Sequence, residues 1–236
     1  MDNRSKNATR NIIFGALLKG YQIIVPFIMR TVIIYKLGVE YAGLSSLFVS
    51  VLQVLNLAEL GVGTAMVFSM YKPIAEADTK RVCALLRLYK YYYRIIGLVI
   101  AGIGISLTPI LPKVVKGSIP PDVNLYILYY LNLGAVVLSY WLYAYKGALL
   151  QAHQRSDIAS KVTLVTNTIQ YLIQFWVLFL FCNYYYYVIV ALFMQILSNV
   201  MTAIVATKIY PEYFPHGVIE QEEKKVINYK IKSFVK

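Results

Sequence analysis

The chain has 236 residues, of which 59% are hydrophobic and 14% charged, and its formal net charge is +12. A water-soluble chain usually carries about 25% charged residues, so this composition excludes an ordinary soluble domain. Several apolar runs exceed the ~20 residues that are needed to cross about 30 Å of hydrocarbon. We therefore predict an all-α, polytopic membrane protein that folds as a transmembrane helical bundle.

Six membrane spans are predicted in chain order, bounded by charged or helix-breaking residues, with a tight NYYYY turn between the fifth and the sixth. They cover residues 11–35, 42–70, 91–112, 124–145, 162–182 and 188–208. Residues 1–210 then form one six-helix transmembrane lobe. Residues 211–236 form a cytoplasmic linker, whose last part has the spacing of an amphipathic helix lying on the membrane face.

Basic residues are distributed unevenly between the two sides of these spans. Eighteen of the 23 Lys and Arg lie in the N-terminal segment, the loops after spans two and four and the tail, or at the span edges next to these segments. Three lie on the opposite side, and Lys19 and Arg30 lie inside the first span. Because cytoplasmic loops are enriched in Lys and Arg, both termini are predicted to be cytoplasmic. The basic charge is thereby explained as an orientation signal, and nucleic acid is not an expected partner.

Polar residues recur at helical spacing inside four of the six spans, so that each set lies on one helix face. Such faces point toward the bundle interior or toward a water-filled cavity, since polar groups gain nothing from facing lipid tails. Hydrogen bonding between neighbouring helices is the alternative explanation. The candidate substrate-binding residues are Lys19, Gln22, Arg30, Asn56, Glu59, Asn167, Gln170, Gln174, Gln195 and Asn199.

Charged residues in the first two spans suggest specific roles. Lys19 is expected about 12 Å from the cytoplasmic side and Glu59 about 16 Å from the same side, so the two are predicted to form an ion pair. Arg30 lies near the outer end of the first span. It either extends to the lipid headgroups or offers its planar fork to a phosphate group.

The turn between spans five and six contains four consecutive tyrosines, Tyr184 to Tyr187. Tyrosine rings favour the headgroup level of a bilayer, so we interpret this cluster as a membrane anchor. Stacking of the rings on sugars is the alternative.

Residues that carry enzyme or metal chemistry are scarce. The chain has two His and two Cys, with no glycine-rich phosphate loop and no metal-ligand spacing. His153, in the sequence QAHQR, is predicted to be a solvated loop residue. We therefore expect neither an enzyme nor a cofactor.

Four stretches of the sequence are similar to one family of membrane proteins. LGVEYAGL at 37–44, LAELGVGTA at 57–65, YKPIAEAD at 71–78 and LLQAHQR at 149–155 carry the likeness. They resemble the N-terminal half of bacterial polysaccharide flippases, which belong to the multidrug/oligosaccharidyl-lipid/polysaccharide exporter superfamily. The likeness extends over most of residues 10–210.

The resemblance implies two six-helix lobes around a central cavity in the bacterial cytoplasmic membrane. It implies that a polyprenyl-diphosphate-linked oligosaccharide is flipped by alternating access, for capsule or lipopolysaccharide biosynthesis. By position, Lys19 and Arg30 would contact the diphosphate. Because this chain matches one lobe, a C-terminal lobe or a second chain is an expected partner, together with membrane lipids.

Two alternatives to this function stay open. A drug or cation exporter of the same superfamily would use an intramembrane carboxylate for ion coupling, and Glu59 is the one predicted inside these spans. An inactive, truncated half is the other alternative.

Overall fold

A computed structural model of the protein describes residues 3–56, 60–115 and 119–235, in which all regular secondary structure is helical. A short 3-10 turn, Thr108–Ile110, follows the fourth helix. The helices are α1 Asn3–Lys36, α2 Val39–Asn56, α3 Leu60–Ala75, α4 Thr79–Leu107, α5 Leu111–Val114, α6 Leu125–Trp141, α7 Ala144–Ala152, α8 Ser156–Phe181, α9 Tyr184–Ile209 and α10 Gln221–Val235.

Four helical segments in the described part of the chain are long and apolar enough to cross a membrane. They are Asn7–Lys36, Thr79–Val114, Ser156–Leu180 and Tyr184–Ile209. Helices α6 and α7 meet at a bend of 51° and form a fifth span if they cross together. The prediction of an all-helical fold is therefore confirmed for the described residues, and four to five of the helices are long and apolar enough for a multi-pass membrane protein.

The second predicted span, 42–70, is divided between two shorter helices. Helix α2 ends at Asn56 and α3 begins at Leu60, and residues 57–59 lie outside the part that the structure describes. The count of six spans depends on whether α2 and α3 cross as one unit, so it stays a prediction.

The segment after α6 differs from the predicted loop. The chain turns at Tyr143, whose φ is +63°, and residues 144–152 then form the largely buried helix α7. The prediction that His153 is a solvated loop residue is right about the loop, since it lies in the turn after α7, but wrong about solvation, because its half-buried ring stacks on Tyr210 with 4.1 Å between the ring centroids. The apolar neighbours Leu149 and Leu150 explain the difference, since both are fully buried and hold this segment inside the bundle.

Close packing of α4 against α6 forms the centre of the main core. A Cβ atom added at Gly104 would lie 2.5 Å from a Leu133 methyl group, so the missing side chain allows the helices to approach. The Tyr129 hydroxyl donates a hydrogen bond of 2.7 Å to the Gly104 carbonyl across the same contact. This helix pair is therefore fixed by both shape and hydrogen bonding.

Helix α10 confirms the predicted helix in the tail, but it packs on other helices of the protein and does not lie on the membrane face as predicted. Its Ile227 is 2% exposed and belongs to the main core, in which α10 packs along α3. Arg81 of α4 forms an ion pair of 2.9 Å with Glu223. At Ile227, protein rather than the membrane surface therefore covers the apolar side of this helix.

A buried carboxylate joins the N-terminal ends of α1 and α8. Asp157 is fully buried and accepts hydrogen bonds from Arg10 at 2.8 Å, Arg155 at 3.1 Å and Lys161 at 3.3 Å. Its backbone N–H donates to the side-chain oxygen of Asn11 at 2.8 Å. One negative charge thus holds three cations from α1, from α8 and from the residue before α8.

We expect Asp157→Asn to lower the free energy of unfolding by about 3 kcal/mol, because it leaves three cations around a neutral amide. The measurement is denaturant unfolding of the purified chain in detergent. Glu222→Gln is the matched control, since Glu222 is 82% exposed in its pair with Lys225 and its loss should cost less than about 1 kcal/mol. Equal, small effects of both substitutions would show that the Asp157 cluster does not hold α1 to α8.

Candidate functional site

A cleft of about 450 Å³ opens between α1, α2, α6, α8 and α9. Its lining combines polar groups with aromatic rings, whereas the helices that form it are mostly apolar. The polar and aromatic residues of the lining are Arg30, Ser45, Ser46, Phe48, Ser50, Asn132, Gln170, Tyr171, Gln174, Tyr184 and Tyr187.

Two glutamines on α8 form one wall of the cleft. Gln174 is fully buried and donates from its side-chain nitrogen to the Tyr187 carbonyl oxygen at 2.9 Å. Gln170, one turn earlier, donates to the side-chain oxygen of Gln174 at 3.3 Å. The amide of Gln174 therefore joins α8 to α9 and has little freedom to rotate.

Serines of α2 present hydroxyl oxygens on another wall. Ser46 and Ser50 each donate to a carbonyl of their own helix at 2.9 Å. Ser45 accepts a hydrogen bond of 3.0 Å from the Tyr184 hydroxyl. A hydroxyl that donates still has oxygen lone pairs for a second partner, so Ser46 and Ser50 can accept from a ligand.

Tyr184 and Tyr187 stack with 6.0 Å between their ring centroids and 13° between their planes. Tyr184 is 1% exposed, so the prediction that it anchors the protein at the headgroup level is wrong. The ring is covered because it packs against Tyr41, with 5.3 Å between the ring centroids, and its hydroxyl is bonded to Ser45 of α2. Tyr186, which is 50% exposed, stays compatible with a membrane belt.

Arg30 is the one cation among the described residues that line the cleft, and its side chain is exposed. Within the described part of the protein, its guanidinium makes neither a hydrogen bond nor an ion pair, so its donors are available to a ligand. Pro26, one turn earlier on the same lining, has no N–H group. The Gln22 carbonyl therefore lacks its usual helical donor, which adds an acceptor beside the cleft.

The other candidate residues do not all converge on this cleft. Lys19 and Gln22 are exposed on α1 outside its lining, and Asn167 is half-buried and also outside it. Gln195 and Asn199 line a separate cleft of about 280 Å³ between α4, α6, α9 and the beginning of α7.

Two candidates of the second span fall outside the described residues, namely Glu59 and the side chain of Asn56. The predicted ion pair between Lys19 and Glu59 therefore stays a prediction.

Sequence reasoning missed several lining residues, of which Asn132 carried the clearest signal. It is an isolated amide in an otherwise apolar helix, a pattern that marks a polar contact inside a membrane. Its nitrogen donates to the Leu128 carbonyl at 2.8 Å, which leaves its side-chain oxygen available to accept. Ser46 and Ser50 had no such signal, because serine is common in helices that cross membranes.

No group of three or more His, Cys, Asp or Glu in the described ranges is arranged to hold a metal ion. No family model, curated protein or solved structure matches the chain.

We expect Gln174→Leu to lower the free energy of unfolding by about 1 kcal/mol, because it removes the hydrogen bond that joins α8 to α9. Gln53→Leu is the matched control, since Gln53 is exposed on α2 and should change stability by less than about 0.5 kcal/mol. Titration with a denaturing detergent measures the free energy of unfolding of both variants. If the two variants unfold alike, the Gln174 amide does not hold this wall.

Proposed function

We propose that this chain is the N-terminal lobe of a flippase that moves a polyprenyl-diphosphate-linked oligosaccharide across the bacterial cytoplasmic membrane for surface polysaccharide biosynthesis. The proposal depends on one observation, a cleft among apolar helices whose lining carries polar side chains, tyrosine rings and an arginine that has no hydrogen bond or ion pair among the described residues. The resemblance of four sequence stretches to polysaccharide flippases supports it independently.

The arginine suits the charged part of such a substrate. A guanidinium donates two parallel hydrogen bonds to a phosphate, which gives both strength and orientation. An arginine inside a membrane helix is unfavourable, by about 2.5–3.5 kcal/mol at the helix centre on insertion scales and by less toward the outer end, where Arg30 lies. An anionic ligand at Arg30 offsets part of that cost, so the position favours a negatively charged substrate.

The remainder of the lining suits a glycan. Sugar hydroxyls both donate and accept, and the cleft offers serine hydroxyls, side-chain amides and tyrosine rings. The polyprenyl chain would stay in the lipid beside α1, where Ile23 is 72% exposed and Phe27 is 73% exposed. The cleft and the outer surface of α1 together match an amphiphile with a polar head and a long apolar tail.

A second lobe would complete the substrate path on the open side of α1. Only 6% of the most apolar stretch of α1 is buried, against 17–22% for the other three unbroken spanning segments in the described ranges. Lys19, Gln22 and Arg30 all lie exposed on this helix. Cations are poorly tolerated against acyl tails, so a C-terminal lobe or a second chain is expected to cover them. Alternating access would then arise from movement between the two lobes.

A cation exporter fits the cleft less well. The described residues that line it include an arginine and no carboxylate, whereas cation binding and proton coupling use acidic side chains. Glu59, the candidate for that role, is outside the described part of the chain.

We expect Arg30→Gln to weaken binding of a short polyprenyl diphosphate to the purified chain about tenfold, because it removes a charge-assisted hydrogen bond. Native mass spectrometry in a neutral detergent measures the binding. Lys36→Gln is the matched control, since it removes the same charge at the end of α1, where Lys36 lies 4.1 Å from the Phe179 ring centroid rather than on the cleft. Unchanged binding by folded Arg30→Gln would contradict the proposal.

In cells that hold the complete transporter, Arg30→Gln should lower surface polysaccharide at normal protein abundance. Lys19→Gln should lower it too if a second lobe encloses α1, while leaving binding to the isolated chain unchanged. Normal polymer in the Arg30→Gln strain would exclude this cleft from the transport path.

A further inference from the structure

A second cleft, of about 590 Å³, lies between α7, α9 and the turn after α9. It shares no lining residue with the cleft at Arg30. Most of its wall is apolar or aromatic, with two lysines on it. The lining residues are Tyr143, Tyr145, Lys146, Val200, Ala203, Ile204, Thr207, Lys208, Phe214 and Pro215.

Lys146 is the unusual member of this lining because it is a cation that is only 4% exposed. Its ammonium group donates one hydrogen bond of 3.0 Å to the Tyr213 carbonyl and lies 5.7 Å from the Phe214 ring centroid. An ammonium has three N–H donors, and no carboxylate among the described residues forms an ion pair with this one. A buried charge of this kind is costly unless an anion is near it.

The fold explains why the lysine is buried. The turn at Tyr143 bends the chain by 51° between α6 and α7, so that the first turn of α7 is directed into the bundle. Lys146 then faces the segment that leaves α9, and its bond to Tyr213 holds that segment in place. The hydrogen bond satisfies one donor but supplies no negative charge.

Lys208 adds a second positive charge at the same cleft. It is exposed in the last turn of α9, at the end that the distribution of basic residues assigns to the cytoplasmic side. Val200, Ala203 and Ile204 lie one to two turns earlier on α9 and line the apolar part of the cleft. An amphiphile with an anionic head at the lysines and a hydrocarbon chain along α9 matches both parts.

We infer that this cleft binds an anionic phospholipid, with its phosphate between Lys146 and Lys208 and one acyl chain along α9. Anionic lipids are attracted to basic pockets at the cytoplasmic ends of membrane helices. The bound lipid supplies the counter-charge for Lys146 and stabilises the junction of α7, α9 and the tail. This site is separate from the proposed transport cleft and does not depend on it.

The test uses the full chain in a neutral detergent, with phosphatidylglycerol, phosphatidylcholine of the same acyl chains, a polyprenyl phosphate and inorganic phosphate as probes. Native mass spectrometry counts bound lipid, and tryptophan fluorescence follows thermal unfolding. We expect phosphatidylglycerol to bind and to raise the unfolding temperature more than the other three probes do.

Lys146→Met keeps an unbranched side chain that is one atom shorter and removes its charge, so it should weaken phosphatidylglycerol binding about tenfold. Lys72→Gln is the matched control, because Lys72 is 77% exposed and outside the cleft. If Lys146→Met does not fold, two other variants test the lipid site. Lys208→Gln removes the exposed positive charge of the cleft, and Ala203→Phe fills the apolar part of the cleft along α9. Each should weaken phosphatidylglycerol binding.

Full phosphatidylglycerol binding by folded Lys146→Met, or by both Lys208→Gln and Ala203→Phe, would overturn the assignment. So would equal stabilisation by inorganic phosphate, which would indicate a free-anion site, or stronger binding of polyprenyl phosphate, which would indicate a substrate site. Arg30→Gln should leave phosphatidylglycerol binding unchanged, so failure at this cleft is distinguishable from failure of the proposed transport function.

Discussion

A charge that enters a membrane helix must be matched by an opposite charge, a hydrogen-bond partner or water, and much of this structure follows from that requirement. The chain carries cations into its apolar helices and meets the requirement in three ways. Asp157 holds Arg10, Arg155 and Lys161 directly. Lys146 receives one backbone carbonyl, and Arg30 stays open on a polar cleft. The fully paired cations at Asp157 form a structural site, whereas the incompletely paired Lys146 and Arg30 form sites that can bind a ligand.

The structural site and the open cleft are connected through α8. Asp157 at the beginning of this helix holds α1, and Gln174 near its other end holds α9. Arg30 on α1 and Gln170 on α8 thus face one cleft because the two helices are held together at their N-terminal ends. Packing of α1 against Leu178 through Met29 and Ile33 fixes the opposite end. The position of Arg30 beside the amides depends on both contacts.

Much of the fold follows from the sequence by itself. Apolar runs of membrane length and the low charge content require helices, because only helices and closed barrels satisfy the backbone inside lipid. The positions at which the helices bend or end were harder to predict. Helix α7 and the bend at Tyr143 depend on burial of Leu149 and Leu150 among distant helices, and local hydropathy does not record that burial.

The candidate site, like the fold, was predictable from the sequence only in part. The sequence determined which side chains are too polar for lipid, among them Arg30, Gln170 and Gln174, because the cost of exposing a polar group to acyl tails is a property of the group. Only the tertiary structure decided which polar faces meet. It put Gln195 on a different cleft, placed Asn132 and Tyr187 on the cleft that Arg30 lines, and buried Lys146. Helical periodicity gives the angle of a side chain around its own axis, whereas the neighbour that it faces depends on contacts between segments far apart in the chain.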